Sequence, residues 1–352
     1  MSNLPTGSNR NFLDIALEIE AISYDLHKDS LLRHAYENTT RITRTLRDVP
    51  PPSGEKAKSA VIISAGPSVH RQRSVSHILA SGYKGTVVAV DGSLISCLKA
   101  GLFPDYVLTL DSHETGIVRW YGDPHFEQNS LNDDYFQRQD LDVEFRTNLI
   151  EQNIAHIALV NQHGSKSKAI VASSAPQNVV CRIEEAKFDT YWWNPLVDNP
   201  GEPGSLTRRL YEINGLPCMN TGGNVGTAAW VFASTILNIP MIALLGMDFG
   251  YYADLPYSKT QKYYELINHL GTSEGLEVHF PSYTFPLTGE RFYTDVTYSW
   301  YRKNFLELLA LSGARTFNCT GGGVLFGDRL PCVTLQTFLE TLGGSHGQNS
   351  FH

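Results

Sequence analysis

Three short apolar runs, each closed by Gly, Asp or Ser, constrain this chain more than any other feature. Residues 59–64 (SAVIIS) lead into Ala65-Gly66-Pro67-Ser68, residues 86–90 (TVVAV) into Asp91-Gly92-Ser93, and residues 105–110 (DYVLTL) into Asp111-Ser112-His113. Helical patterns near 69–82 and 93–100 separate the runs. This βαβ alternation implies a parallel sheet with right-handed crossovers. The expected fold is α/β: a Rossmann-like, mostly parallel sheet with helices on both faces and an N-terminal helical appendage. In open sheets of this kind ligands bind outside the carboxyl ends of the strands. The first three strand ends are therefore the expected phosphate or nucleotide site.

At 352 residues the chain has material for one large or two ordinary domains. The net charge of −8 and the lack of a Lys/Arg block argue against a nucleic-acid partner. Cys97, Cys181, Cys218, Cys319 and Cys332 are odd in number and show no metal spacing, so free thiols are expected. Met1–Arg10 has no apolar run behind a basic start. The long apolar stretch Ala228–Met247 is interrupted by Asn238-Ile239-Pro240 and reads as helix, turn and strand. The expected compartment is the cytoplasm, with no membrane-spanning segment.

Residues 11–47 read as helix, from Leu13, Ile15, Leu17, Ile19, Ile22, Leu31, Leu32, Ile42 and Leu46, and as an appendage or homo-oligomer contact. Asp48-Val49-Pro50-Pro51-Pro52-Ser53-Gly54 reads as a linker. The expected organisation is a helical segment and linker over 1–54, a transferase domain over 55–342, and a disordered tail over 343–352. Residues 113–150 read as a lid or insertion, His156–Val160 and Ala169–Ser173 as strands, and 186–205 as a long loop. A helix opened by Asn220–Thr227, a strand over 241–246, a helix over 295–312, a strand over 314–318 and a helix over 333–342 complete the pattern.

Gly66, Pro67 and Ser68 form a strand-to-helix turn whose amides and hydroxyl suit an anion, although such turns are common in α/β proteins. Asp91, followed by Gly92 and Ser93, suits a ribose hydroxyl, a base edge or a metal, or equally a helix cap. Asp111 suits Mg²⁺, which takes carboxylate and phosphate oxygens. Thr221, Gly222, Gly223, Asn224 and Gly226 form a second candidate phosphate cradle. Neither Gly-x-Gly-x-x-Gly nor Gly-x4-Gly-Lys-Ser/Thr occurs, which argues against an ordinary dehydrogenase and a P-loop kinase. Asp248 precedes Tyr251 and Tyr252, with Tyr257 nearby; phenols there bind phosphate oxygens or simply pack. His113, beside an acid at a strand end, is the histidine to watch as a general base.

Ser64–Ser68, Asp91-Gly92, Gly101-Leu102-Phe103-Pro104-Asp105 and Leu110-Asp111 together resemble the MptE-like family. That family contains archaeal 6-hydroxymethyl-dihydropterin diphosphokinases and motility accessory factors that glycosylate flagellin. Thr221–Gly226 and Gly246–Tyr251 resemble the accessory factors and, more distantly, CMP-dependent bacterial sialyltransferases. The resemblance implies a Rossmann-like nucleotide-binding domain. In a sialyltransferase-like reading Gly66, Pro67, Ser68, Asp91 and Thr221–Gly226 surround the nucleotide, and Tyr251 or Tyr252, with Tyr257, contacts its phosphate. In a diphosphokinase reading Asp91 and Asp111 hold Mg²⁺ on ATP. Two departures stand out. Thr109-Leu110-Asp111-Ser112 has one acid fewer than the Asp-Leu-Asp-Gly of the pterin enzymes. The sialyltransferase histidine before the late helix is replaced by Glu290-Arg291-Phe292-Tyr293-Thr294-Asp295, which leaves Glu290, His279 or His113 as the base. The first expectation is a glycosyltransferase with a CMP-activated, nonulosonic or sialic-acid-like donor and a small-molecule, glycan or protein acceptor. The second is an ATP- and Mg²⁺-dependent pterin diphosphokinase, and the third a non-catalytic nucleotide-binding module.

Overall fold

The computed structural model describes residues 28–114, 120–126, 143–260, 263–272 and 274–343. Most of the expected lid and the expected C-terminal tail lie outside them, as does the start of the N-terminal helix. The strands β1 (Ser59–Ile63), β2 (Thr86–Val90), β3 (Tyr106–Thr109), β4 (Lys168–Ala172), β5 (Asp189–Leu196), β6 (Cys218–Asn220), β7 (Met241–Leu245) and β11 (Arg315–Asn318) form one sheet. Its order is β11-β7-β1-β2-β3-β4-β5-β6, and every pairing is parallel. A small antiparallel sheet joins β8 (Tyr251–Tyr252), β9 (Ser282–Thr284) and β10 (Arg291–Tyr293).

The strand pleat sorts the core into two layers. Val61, Ile63, Val87, Ala89, Val107 and Val171 point to one face. There they meet α3 (Ser74–Ser81), α4 (Asp91–Lys99), α5 (Val143–His163), α6 (Gln177–Glu185) and α11 (Leu335–Gly343), through residues such as Ile78, Leu94, Val160, Val179 and Phe338. Ala60, Ile62, Val88, Val90, Leu108 and Ile170 point to the other face, against Trp230 of α8 (Val225–Val231) and Phe305 of α10 (Val296–Leu311). Because successive side chains alternate faces, fully buried strands read as unbroken apolar runs.

From β1 the chain steps outward through β2, β3, β4 and β5 to β6, and then returns beneath the second face through α8, which touches β1, β2, β3 and β6, to place β7 beside β1. Right-handed crossovers require this change of face when the direction of travel reverses. The reversal creates a switch point between the carboxyl ends of β1 and β7.

The N-terminal helix is present as α1 (28–37). It does not continue to residue 47: a 3₁₀ turn at Asn38–Arg41 ends it, and another forms at Leu46–Asp48. Its Leu32 and Ala35 are buried against Leu206 and Leu210 of α7 (Leu206–Asn214). Asn38 donates to the carbonyls of Ser173 and Ala175, both at 2.8 Å. The Trp192 amide donates to the Arg44 carbonyl at 2.9 Å, so residues 44–45 cover the part of β5 that β6 does not reach.

Three further expectations are corrected. Residues 156–160 are helical, within α5: Asn153, His156 and Val160 are buried at helical spacing while Ile154 is exposed. A short apolar run cannot by itself separate helix from strand. The expected helix over 69–82 is two helices, α2 (Ser68–Arg71) and α3, broken at Arg73, whose φ is 49°. Residues 189–196 are strand β5 instead of a loop, and β6 follows unforeseen. Asn194-Pro195 suggests a turn, but β4 stops pairing at Trp193. The side of β5 to which the Pro195 N–H would have pointed is already vacant, so proline costs no ladder bond there. Trp193 is fully buried, and Trp193→Ala is expected to cost about 3–5 kcal/mol in urea unfolding, against roughly 0.5 kcal/mol for an exposed loop residue.

All five cysteines are free thiols, as expected. Among the described residues no helix is long and apolar enough to cross a membrane.

Candidate active site at the strand tips

The turn after β1 is locked to the end of β7. The Ser64 and Gly66 amides donate to the carbonyls of Leu245 (2.8 Å) and Gly246 (2.9 Å). Ser68 donates its N–H to Asp248 Oδ2 at 2.9 Å and its hydroxyl to Asp248 Oδ1 at 2.5 Å. The donors expected to meet a ligand phosphate thus already hold a carboxylate, which takes the anion's place at the first turn of α2. Burial pushes the Asp248 carboxyl up to about 6, and the two Ser68 hydrogen bonds oppose the rise. The backbones approach too closely for any side chain at 66: a Cβ there would overlap the Gly246 carbonyl oxygen and lie 2.8 Å from the Asp248 carboxylate. Gly66→Ala is therefore expected to lose several kcal/mol, on the order of a severe overpacking change, measured as a lowered unfolding midpoint.

Neighbouring tips converge on this turn. Gly92 lies against Ala65, a Cβ at 92 falling 2.9 Å from the Ala65 methyl. Ser93 donates its hydroxyl to the carbonyls of Ile63 (2.6 Å) and Val90 (3.0 Å), which ties β2 to β1 and leaves that donor engaged. Asp91 is 3% exposed. Its Oδ1 accepts from the Gly92 amide at 2.7 Å, while its buried Oδ2 has no close hydrogen-bond partner, the Leu110 amide being the other donor that acts on the carboxyl. Burial raises the Asp91 carboxyl to about 8; the Gly92 and Leu110 amides oppose the shift and the Asp111 charge adds to it. Asp111 is exposed beyond β3 and accepts from the His113 amide at 2.9 Å, forming an Asx turn. Glu114, next along, pairs with Arg33 at 3.0 Å and His34 at 3.4 Å.

The second predicted cradle meets the first from the other face. Asn224 caps α8, accepting from the Thr227 amide at 2.9 Å. Gly222 and Gly223 take positive φ (54° and 88°), which glycine alone adopts freely. The Gly223 amide donates to Thr221 Oγ1 at 3.1 Å. A Cβ at Gly226 would come within 2.8 Å of Ser64 Oγ. That hydroxyl is itself buried without a partner. It faces the opening of α8, whose first N–H groups have no intrahelical acceptor.

The aromatic candidates divide. Tyr252 is 6% exposed and lies under the Arg71 guanidinium, 3.5 Å from its ring centre. Burial and the Asp248 charge raise its phenol to about 12. Tyr251 donates to Asp295 Oδ2 at 2.9 Å and stacks between Tyr293 and Tyr298. Tyr257 stacks on Phe280 at 4.4 Å. Glu290 is exposed on the turn before β10. The loop Thr320–Gly323 closes over the switch point, where a Cβ at Gly323 would overlap the Asp248 backbone.

Ser64–Ser68, Asp91–Ser93, Asp111, Thr221–Gly226 and Asp248 therefore share one edge of the sheet. From β7 to β3 is three strand spacings, about 14 Å at roughly 4.8 Å each. A single phosphate cannot touch both Asp248 and Asp111, but a nucleotide joined to a second group can span them. Ser64 belongs to the Ser64–Ser68 run already read at the end of the first strand, whereas Arg71 and the 320–323 loop carry no local signal of a role here and are brought to the site by the fold. Cavities of about 200 Å³ beside Arg41 and about 400 Å³ beside Asp328 lie away from these tips.

The doubly wound parallel sheet and its switch point place the structure in the Rossmann-like α/β class. Residues 30–128, which include β1 to β3, match the family described as 6-hydroxymethylpterin diphosphokinase MptE-like. Among solved structures the chain is similar to the MAf glycosyltransferase from Magnetospirillum magneticum AMB-1, with a TM-score of 0.54 and 14% identity over 90% of this chain and 42% of that one. The chain thus spans about two-fifths of that structure's length, and the likeness is one of fold. No curated protein matches the sequence.

Proposed function

We propose that this chain is a group transferase of the MptE-like superfamily that binds a nucleotide at the β1/β7 switch point. The favoured reaction is glycosyl transfer from a CMP-activated, sialic-acid-like sugar to a hydroxyl acceptor. One observation carries this reading: two buried polar atoms without a close hydrogen-bond partner, Ser64 Oγ and Asp91 Oδ2, sit on adjacent strand tips beside the switch point, the Asp91 carboxyl being reached only by the Gly92 and Leu110 amides among the described residues. Orphaned polar atoms are costly unless something satisfies them. A nucleotide lying along the tips supplies phosphate oxygens toward Ser64 and the α8 amides, and ribose or base groups toward Asp91. The protein's task is then to stabilise the departing phosphate and remove the acceptor proton. Asp248, at about 6, is mostly ionised at neutral pH and close to the value that suits a general base; His113 and Glu290 are the alternatives.

The family match and the placement of Asp91 and Asp111 at the ends of the adjacent strands β2 and β3 favour ATP-dependent diphosphoryl transfer as the second reading. Asp91 and Asp111 would hold Mg²⁺ with nucleotide phosphate oxygens only once Asp91 gives up its proton; the ion would neutralise charge on the transferred group.

Thermal shift with CMP and with ATP, each with and without Mg²⁺, separates the two readings. At 100 times its dissociation constant a true ligand stabilises by about 2.7 kcal/mol, or about 4 °C for a chain of this size. CMP stabilisation is expected; stabilisation by Mg²⁺-ATP alone overturns the glycosyltransferase reading.

A further inference from the structure

The switch-point crevice is acidic. Asp111 and Asp248 stand on its strand tips, Asp91 between them keeps its proton to about pH 8, and Glu290 is close enough to act on Tyr252. The whole chain carries −8. A phosphate entering such a crevice needs a cation, and the turn after β1 supplies its hydrogen bonds to Asp248 instead. Arg71 is on α2, one helical turn after Ser68. It is exposed, and forms no ion pair among the described residues. Its guanidinium carbon stands 3.5 Å from the centre of the Tyr252 ring. At that separation only a face-on arrangement fits, so the N–H donors, which lie in the guanidinium plane, point sideways instead of into the ring. The ring is itself fixed: Tyr252 is paired in β8 with Phe292 of β10, and the two rings are 4.8 Å apart. Gly322, in the loop over Asp248, comes close to both Phe292 and the Tyr252 hydroxyl.

We propose that Arg71, held flat on Tyr252, is the cation that binds the nucleotide phosphate at the switch point. The stack limits the rotamers of a long side chain, so little entropy is lost when the guanidinium engages a phosphate. Arginine also offers paired donors that match two phosphate oxygens, which lysine does not. The inference rests on the nucleotide reading above and adds the residue that recognises the charged part of the ligand.

The test is calorimetry of CMP and of cytidine with the wild type, Arg71→Met, Arg71→Lys and Tyr252→Leu. Arg71→Met is expected to weaken CMP 10- to 100-fold and leave cytidine unchanged. Arg71→Lys and Tyr252→Leu, which keep the charge but lose the planar stack, should fall between. A thermal midpoint within about 2 °C of wild type shows that Arg71→Met is folded, as expected for an exposed position. Unchanged CMP affinity in Arg71→Met, or an equal loss of CMP and cytidine, overturns the role of Arg71. Wild-type protein that binds ATP and not CMP overturns the donor assignment instead, and the same variants are then read with ATP against adenosine.

Discussion

Asp91→Asn is expected to gain about 3 kcal/mol of stability relative to wild type between pH 5.5 and pH 8. Folded Asp91 keeps its proton up to about pH 8, against an ordinary value of 3.8. Between those values the folded state holds more protons than the unfolded chain, so the contribution is full below pH 3.8 and is lost as pH rises toward 8. The slope is about 1.4 kcal/mol per pH unit, which gives about 3 kcal/mol over this interval and about 4 °C in midpoint. The readout is the difference between the two proteins at each pH, which removes the other titrating groups. Equal pH dependence in wild type and Asp91→Asn would show that Asp91 is not held in a desolvated, charge-disfavouring pocket. A ligand that satisfies its orphaned Oδ2 should also change the slope in wild type and not in the variant.

Asp248→Ala should lose about 2–4 kcal/mol, because it strands the Ser68 N–H and hydroxyl in a buried site. Asp248→Asn should behave differently. The amide still partners Ser68 and no longer carries a charge that burial opposes, so stability at pH 8 should match or exceed wild type. The two variants separate clamp from chemistry. If Asp248 accepts the acceptor proton, Asp248→Asn folds normally and transfers poorly, with kcat lowered and nucleotide affinity retained. If it only ties β1 to β7, transfer survives in Asn and fails in Ala. Loss of stability equal in Ala and Asn would contradict the hydrogen-bonding account.

The long separation of these partners shows how much a linear reading can reach. Ser68 and Asp248 are 180 residues apart. Both stand out as polar residues at apolar strand ends, yet nothing local says that one occupies the other's donors. The strand tips at 64–68, 91–93 and 111 are legible because burial on both faces forces a continuous apolar run, and its polar ending is a local event. The helix expected over 295–312 is found as α10, with Asp295 as its N-cap instead of its first residue. Where local signals conflicted, the reading failed. Asn194-Pro195 outweighed the aromatic run of β5 because the vacancy beside Pro195 depends on where β4 stops, and His156–Val160 is too short to show a period.

Sequence alone determined that this chain builds a parallel α/β sheet with acidic, glycine-rich strand tips, since side-chain polarity and period act over a few residues. Tertiary structure alone decided that β7 lies beside β1, that Asp248 fills the Ser68 turn, that Arg71 lies on Tyr252, and that the Ser64 hydroxyl and one Asp91 oxygen lack a close partner. Those outcomes come from the handedness of the crossovers and the reversal through α8, which bring together segments whose contacts are written in no single stretch of the chain.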